Sequence, residues 1–213
     1  AAFAGALLAI VLVFRVATAT GQAMDVRVLL LAGVVVAAFF SACIAFILSV
    51  SSARTVQSVV LWIMGSLANA SWQSVLLAAV YTVPAAVVLI TLARPLNLMA
   101  IGEETAHYLG ADVEGVKRTA LVIAALITAA GVAVAGVIGF VGLVVPHAIR
   151  LLIGSDHRAL LPLSFLGGAA FLTLADLIAR LALAPTEIPI GVITAFVGVP
   201  IFLVLLRRSL AGT

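Results

Sequence analysis

The chain has 213 residues, 65% of them hydrophobic and 9% charged, with a formal net charge of +3, whereas ordinary soluble domains carry roughly 25% charged residues. So little polar material cannot cover a water-soluble fold of this length, and a small, scattered positive charge gives no footing for nucleic acid; the bilayer is left as the solvent. Cys43 is the single cysteine, so neither an internal disulfide nor a cysteine-built zinc site can form.

The first stretch, "AAFAGALLAIVLVFRVA", has no initiator methionine and no basic segment ahead of its apolar run. It does not read as a signal peptide. It reads as a membrane span entered partway, and the expectation is that the chain is the C-terminal part of a longer protein. A span needs ~20 mainly apolar residues to cross a ~30 Å hydrocarbon core. By that measure the sequence predicts spans at 1–17, 27–50, 73–93, 118–138, 141–153, 160–183 and 189–206. The fifth is short: thirteen residues at ~1.5 Å each reach only about 20 Å. Gly136, Gly139 and Gly142 nevertheless argue for a break before it rather than one long helix.

Charge placement tests that count. With a cytoplasmic C-terminus, Arg15, Arg27, Arg94, Lys117, Arg118, Arg150, Arg158, Arg207 and Arg208 fall inside, and only Arg54 and Arg180 fall outside. This is a strong positive-inside bias, and fusing 118–153 into one span would destroy it. An all-α, polytopic transmembrane bundle of seven spans follows.

The longest polar stretch, "RPLNLMAIGEETAHYLGADVEGVKR" at 94–118, then lies on the cytoplasmic side. Glu103, Glu104, Thr105 and Ala106 open a short helix, Gly110 suits its stop, and "ADVEGVKR" begins a second helix. Taken alone, this is either an ordinary connecting loop or a rigid knob for a cytoplasmic partner. "VVPHAIRLL" runs toward the cytoplasm with Pro146 bending it, and Asp156, His157 and Arg158 are expected in a solvated loop. "ADLIAR" sets Asp176 and Arg180 four apart on one helix, where they can neutralise each other or leave Arg180 at the rim to meet an acidic partner. "APTEIPIG" at 184–191 reads as a stiff turn, with Glu187 favouring the positive end of the next helix.

His107, His147 and His157 are the candidates for metal or haem ligation, but none is spaced for a zinc site, and structural or interfacial roles are the expected reading. No metal site is predicted. Nucleophile-elbow, HExxH and phosphate-loop patterns are all missing from the sequence, so an enzyme has little to stand on. The competing readings are a haem-binding or catalytic intramembrane subunit using His107 or His147, and an ion-driven carrier, for which Asp176 is a poor midplane carboxylate.

Several stretches together, "GEETAHYLGADVEGVKR", "GVIGFVGLVVPHAIRLLIGSDHRALLP", "GGAAFLTLADLIARL" and "PTEIPIGVITAFVGVPIFLVLLRR", resemble the FecCD family of BtuC-like permeases. "LLLAGVVVAAFFSA" and "WIMGSLANASW" agree with the same family. Its members have ten spans, so the resemblance implies that residues 1–213 form one permease domain holding the last seven. It implies an importer of iron chelates (siderophore or haem) or cobalamin in the bacterial inner membrane, with the 94–118 loop as its coupling element. The implied partners are a second permease copy or close homologue, two cytoplasmic ATPase subunits and a periplasmic or lipid-anchored binding protein. ATP and magnesium would sit on the ATPase, and no cofactor on this chain. Glu103, Glu104, Ala106, Leu109 and Gly110 match the coupling loop that docks in the ATPase, and Arg180 resembles an arginine that pairs with a glutamate of the binding protein. Met24, Asp25, Val26 and Arg27 resemble the region closing the inner mouth, although "MDVR" departs from the small hydroxyl-rich stretch usual there. Pro146, His147, Gly154, Asp156, His157 and Arg158 repeat family positions without an implied catalytic role.

Overall fold

The computed structural model describes residues 2–19, 26–68 and 70–211. They form ten helices: α1 (Ala2–Ala19), α2 (Val26–Ser49), α3 (Ala53–Ile63), α4 (Trp72–Thr91), α5 (Ala93–Met99), α6 (Glu103–Tyr108), α7 (Val113–Ala135), α8 (Val141–Ile153), α9 (His157–Leu181) and α10 (Ile190–Ala211). There is no strand among the described residues. Each of the seven expected segments falls mainly on a helix among the described residues. Four helices (Arg27–Ser49, Trp72–Thr91, Val113–Ala135 and His157–Leu181) are long and apolar enough to cross a membrane, and three shorter apolar ones lie at Ala4–Ala19, Val141–Ile153 and Ile190–Val204.

The surface is the inverse of a soluble protein's. Leu31, Phe46 and Trp72 are 67%, 70% and 88% exposed, a pattern that fits lipid or apolar partners rather than water. Burial falls mostly on small side chains: Ala17, Ala32, Ala85, Ala129, Ala130, Ala175 and Ala179 are all nearly inaccessible. Small residues let helix backbones approach closely where no hydrophobic drive separates helix from lipid. On that basis α4 packs on α7 and α9, α8 on α9, α10 on α8 and α9, and α1 bridges α7 and α2.

Helices α3, α4, α7 and α9 start on side-chain caps. Ser71 and Ser74 form a reciprocal capping box on α4. Asp112 Oδ1 accepts from the Gly115 N–H at 3.0 Å to start α7, and Asp156 Oδ1 accepts from the Arg158 N–H at 2.9 Å to start α9. Each side-chain oxygen satisfies a donor that the first helical turn leaves open.

Two departures from the sequence reading stand out. α3 occupies a stretch for which no helix was expected. α5 precedes α6 in what reads as loop. α7 begins at Val113, within the "ADVEGVKR" stretch expected to open a helix, with Asp112 capping a polar first turn ahead of the apolar span.

α3 ends in a junction made by backbone. Ser66 N–H donates to Ala135 O at 2.9 Å, Ile190 N–H to Gly65 O at 3.2 Å, and Gly191 N–H to Met64 O at 3.1 Å. The end of α3, the end of α7 and the start of α10 are thereby joined. Gly136, with φ +72, sits against the Trp62 carbonyl, which any Cβ there would strike. Beside the junction lies an apolar recess of about 630 Å³ lined by Ile63, Met64, Val137, Phe140, Gly191 and Phe196, among others.

Candidate functional site

The knob at 94–118 is built from α5, α6 and the start of α7. α4 passes into α5 through Leu92 alone. Hydrogen bonds from the Ala100, Ile101 and Gly102 amides to Leu96, Leu98 and Met99 carbonyls carry the chain into α6, where the Ala106 N–H donates to Gly102 O. These main-chain bonds join α5 and α6 into a rod bent at Gly102, whose φ is +144.

α6 stops as the sequence predicts. Gly110 N–H donates to His107 O and Ala111 N–H to Ala106 O, both at 2.9 Å. This double closure requires a left-handed residue, and Gly110 supplies it with φ +85.

The named residues of α6 divide by direction. Ala106 is fully buried and anchors the helix. Glu103 and Glu104 are exposed, and Glu103 Oε2 is held 2.6 Å from Lys117 Nζ of α7. Leu109 is exposed at the tip, together with two apolar side chains the sequence reading passed over, Ile101 and Tyr108, the latter 87% exposed. An aromatic beside a leucine inside an otherwise polar stretch was the available signal. The product is a protruding, braced knob with an apolar tip and carboxylates beside it.

Next to the knob stands a second cluster. Asn97 Oδ1 of α5 accepts from the backbone N–H of His157 at 2.8 Å and lies 2.7 Å from its ring Nδ1. Asn97 Nδ2 donates to Asp156 Oδ1 at 2.6 Å. Asp156 and Arg158 are exposed, as expected of a solvated segment, but Asp156 caps α9 and the half-buried His157 begins it, cross-linked to α5. The hydrogen bonds from the Arg158 amide and from Asn97 hold the Asp156 carboxyl below the usual aspartate range.

Near the far end of α9, Arg180 Nε donates to Asp176 Oδ2 at 2.8 Å, one helical turn apart. Arg180 is exposed there, and the adjacent connection is fastened by the Ile188 N–H donating to Ala179 O at 3.0 Å.

The remaining sequence candidates do not converge. His107 is exposed in the last turn of α6, and His147 is half-buried within α8. Among the described residues no three His, Cys, Asp or Glu side chains are grouped to hold a metal ion. Of the expected gate, Met24 and Asp25 lie outside the described residues, the Val26 side chain likewise, and Arg27 is exposed at the start of α2.

The FecCD transport family matches residues 1–208. The chain is 47% identical over 207 residues to the cobalamin import system permease protein BtuC of Halobacterium salinarum, covering 97% of this chain and 55% of that protein. It is 45% identical over 181 residues to the hemin transport system permease protein HmuU of Yersinia pestis, covering 85% of this chain and 54% of that one. A solved structure described as an inward-facing metal-chelate type ABC transporter superposes with a TM-score of 0.81 at 34% identity, over 86% of this chain and 60% of the other. The chain spans about half the length of the two named permeases.

Proposed function

This chain belongs to the FecCD transport family, and on that premise we propose that it forms the membrane-spanning permease part of a binding-protein-dependent ABC importer. Its cargo is a bulky chelate: cobalamin, haem or an iron–siderophore complex. The observation that carries the reading is the conjunction of a family match over residues 1–208 with a braced, apolar-tipped knob between two long apolar helices. A transporter driven from outside its own chain needs such a handle, and needs no reactive group of its own.

Residues 1–213 act as one permease domain in the bacterial inner membrane. The knob faces the cytoplasm, as does the C-terminus, an orientation favoured by the lysine and arginine distribution. A second permease copy completes the pathway, and two ATPase subunits, which hold ATP and magnesium, take the knob tip of Leu109 and Tyr108 into a cleft. ATP-driven closure of those subunits pushes α5 and α6, and the spans rock between inward- and outward-facing arrangements. Arg180 meets an acidic residue of the binding protein at the opposite face. The recess of about 630 Å³ beside Phe140 borders the pathway; its apolar lining offers weak contacts that release cargo as readily as they admit it.

The test is reconstitution of the full-length permease with its ATPase and binding protein in proteoliposomes, with ATP-dependent uptake of haemin, cyanocobalamin and a ferric hydroxamate chelate measured in parallel. Uptake of one of the three supports the reading. ATP-independent uptake driven by an ion gradient overturns it.

A further inference from the structure

We propose that Asn97, Asp156 and His157 form a clasp that hands movement of the α5–α6 rod to α9, making these three side chains positioning residues for coupled transport. The inference rests on the importer reading above.

The clasp joins segments about sixty positions apart in sequence, and its donors and acceptors match completely. The Asn97 carbonyl oxygen takes two hydrogen bonds from His157, backbone and ring. This requires the ring proton on Nδ1, because the amide oxygen can only accept. The Asn97 amide nitrogen donates to the same Asp156 oxygen that caps α9 through the Arg158 N–H. One side chain of the rod therefore grips both the cap and the first residue of α9. Apolar contact supports the grip, since Ala93 of α5 and Leu160 of α9 are each only 3% exposed and the two helices pack together.

Both sides of the clasp are helical. α5 is linked to α6 by main-chain bonds at Ala100, Ile101, Gly102 and Ala106, with a bend at Gly102. α9 runs 25 residues to Leu181, with Pro162 near its start, a length of about 37 Å. It also packs on α4, α8 and α10, so a displacement entering at Asn97 reaches most of the bundle and the Asp176–Arg180 pair at the far end. Without the clasp, the rod remains attached to α9 by side-chain packing alone, which can slide.

The chemistry names its own disruption. Asn97→Asp keeps shape but sets a carboxylate oxygen against Asp156, where a donor had been. The double variant Asn97→Asp with Asp156→Asn removes the carboxylate repulsion; because one Asp156 oxygen serves both Asn97 and the Arg158 amide, the introduced amide group turns so that its oxygen keeps the cap and its nitrogen faces position 97. Asparagine remains a good helix cap. His157→Asn keeps a side-chain N–H near the position of Nδ1, and His157→Leu removes it.

The experiment uses the full transporter in proteoliposomes, reading phosphate release from ATP with and without the binding protein, alongside uptake of the chelate that the parent carries. The expected result for Asn97→Asp and His157→Leu is a loss of about 3- to 10-fold in uptake and in the stimulated part of hydrolysis. Basal hydrolysis and recovery of the intact complex stay at parent levels, and both the double variant and His157→Asn return within about 2-fold of the parent. Parent-like uptake in Asn97→Asp overturns the proposal. So does a defect in Asn97→Asp that the double variant fails to repair, or one that falls equally on basal and stimulated hydrolysis. A parent complex showing no stimulation and no uptake overturns the importer reading instead, and the clasp with it.

Discussion

Lys117 Nζ stands 2.6 Å from Glu103 Oε2, so the first residue of α6 is tied across the Gly110 turn to the second turn of α7. The lysine side chain is 14% exposed and the glutamate 55%. The pair therefore sits where one partner is shielded and the other remains wet, and its value lies in direction more than in energy.

Replacing Lys117 with Met should cost less than about 1 kcal/mol of stability, as for pairs with an exposed member. The knob nevertheless loses its brace. Thermal denaturation of the purified permease should be nearly unchanged, while reconstituted uptake falls by about 3- to 10-fold with ATP hydrolysis continuing. Equal uptake by variant and parent would show that α6 keeps its aim without the brace.

Gly110→Val places a β-branched side chain at φ +85. A left-handed conformation costs an L-residue about 1–2 kcal/mol or more, enough to unwind the last turn of α6 but not the bundle behind it. Intact assembly with hydrolysis uncoupled from transport is the expected outcome; normal coupling would mean the Schellman closure is dispensable.

Gly136→Ala combines a positive φ with a clash against the Trp62 carbonyl. Strain and overpacking together should destabilise by about 2–4 kcal/mol. Detergent-solubilised variant should denature at a clearly lower temperature than the parent, whereas Gly139→Ala, with open space around it, should not.

Asp156 gives the pH prediction. Its folded pKa lies below the ordinary 3.8, so the unfolded chain binds the proton more tightly. The cap's contribution is therefore complete above about pH 4 and is lost as pH falls through the lower folded value. Protection factors of the first α9 amides, which divide out the intrinsic pH dependence of exchange, should fall in that acid window and stay flat from pH 5 to 8. Asp156→Asn should remove this acid step, and a step that survives in the variant points to another group.

Asp176→Asn releases Arg180 from its turn-spaced partner, and Arg180→Ala removes the charge. In a binding-protein titration the alanine variant should bind on the order of ten-fold more weakly, about 1.4 kcal/mol, with the deficit shrinking at high salt. Identical affinities at low salt would place the docking contact elsewhere.

The positions of the apolar helices were legible from length and composition, because a bilayer constrains both. The break that isolates α8 at Val141–Ile153 was legible too, since glycines flank it. Less legible was α3, whose eleven residues are too short and too polar to read as a span. α5 was hidden behind Arg94 and Pro95, and its helix is supported by contact with α9, which no local pattern reveals. At the site, Gly110 announced its turn because only backbone geometry was involved. The grip of Asn97 on Asp156 and His157 left no trace in sequence, since a hydrogen bond between positions 97 and 156 has no period. Asp156 was rightly read as wet, but its bond to Asn97 and the half-burial of His157 are invisible for the same reason.

Where α3, α7 and α10 meet, the joining is done by amides and carbonyls of residues 64–66, 135 and 190–191. Main chain is common to every amino acid, so these hydrogen bonds do not depend on which side chains flank them, while the Ile190 side chain is itself buried with Ala175 and Ala179. A single added methyl at Gly136 or Gly191, each with a neighbouring carbonyl in the way, is refused.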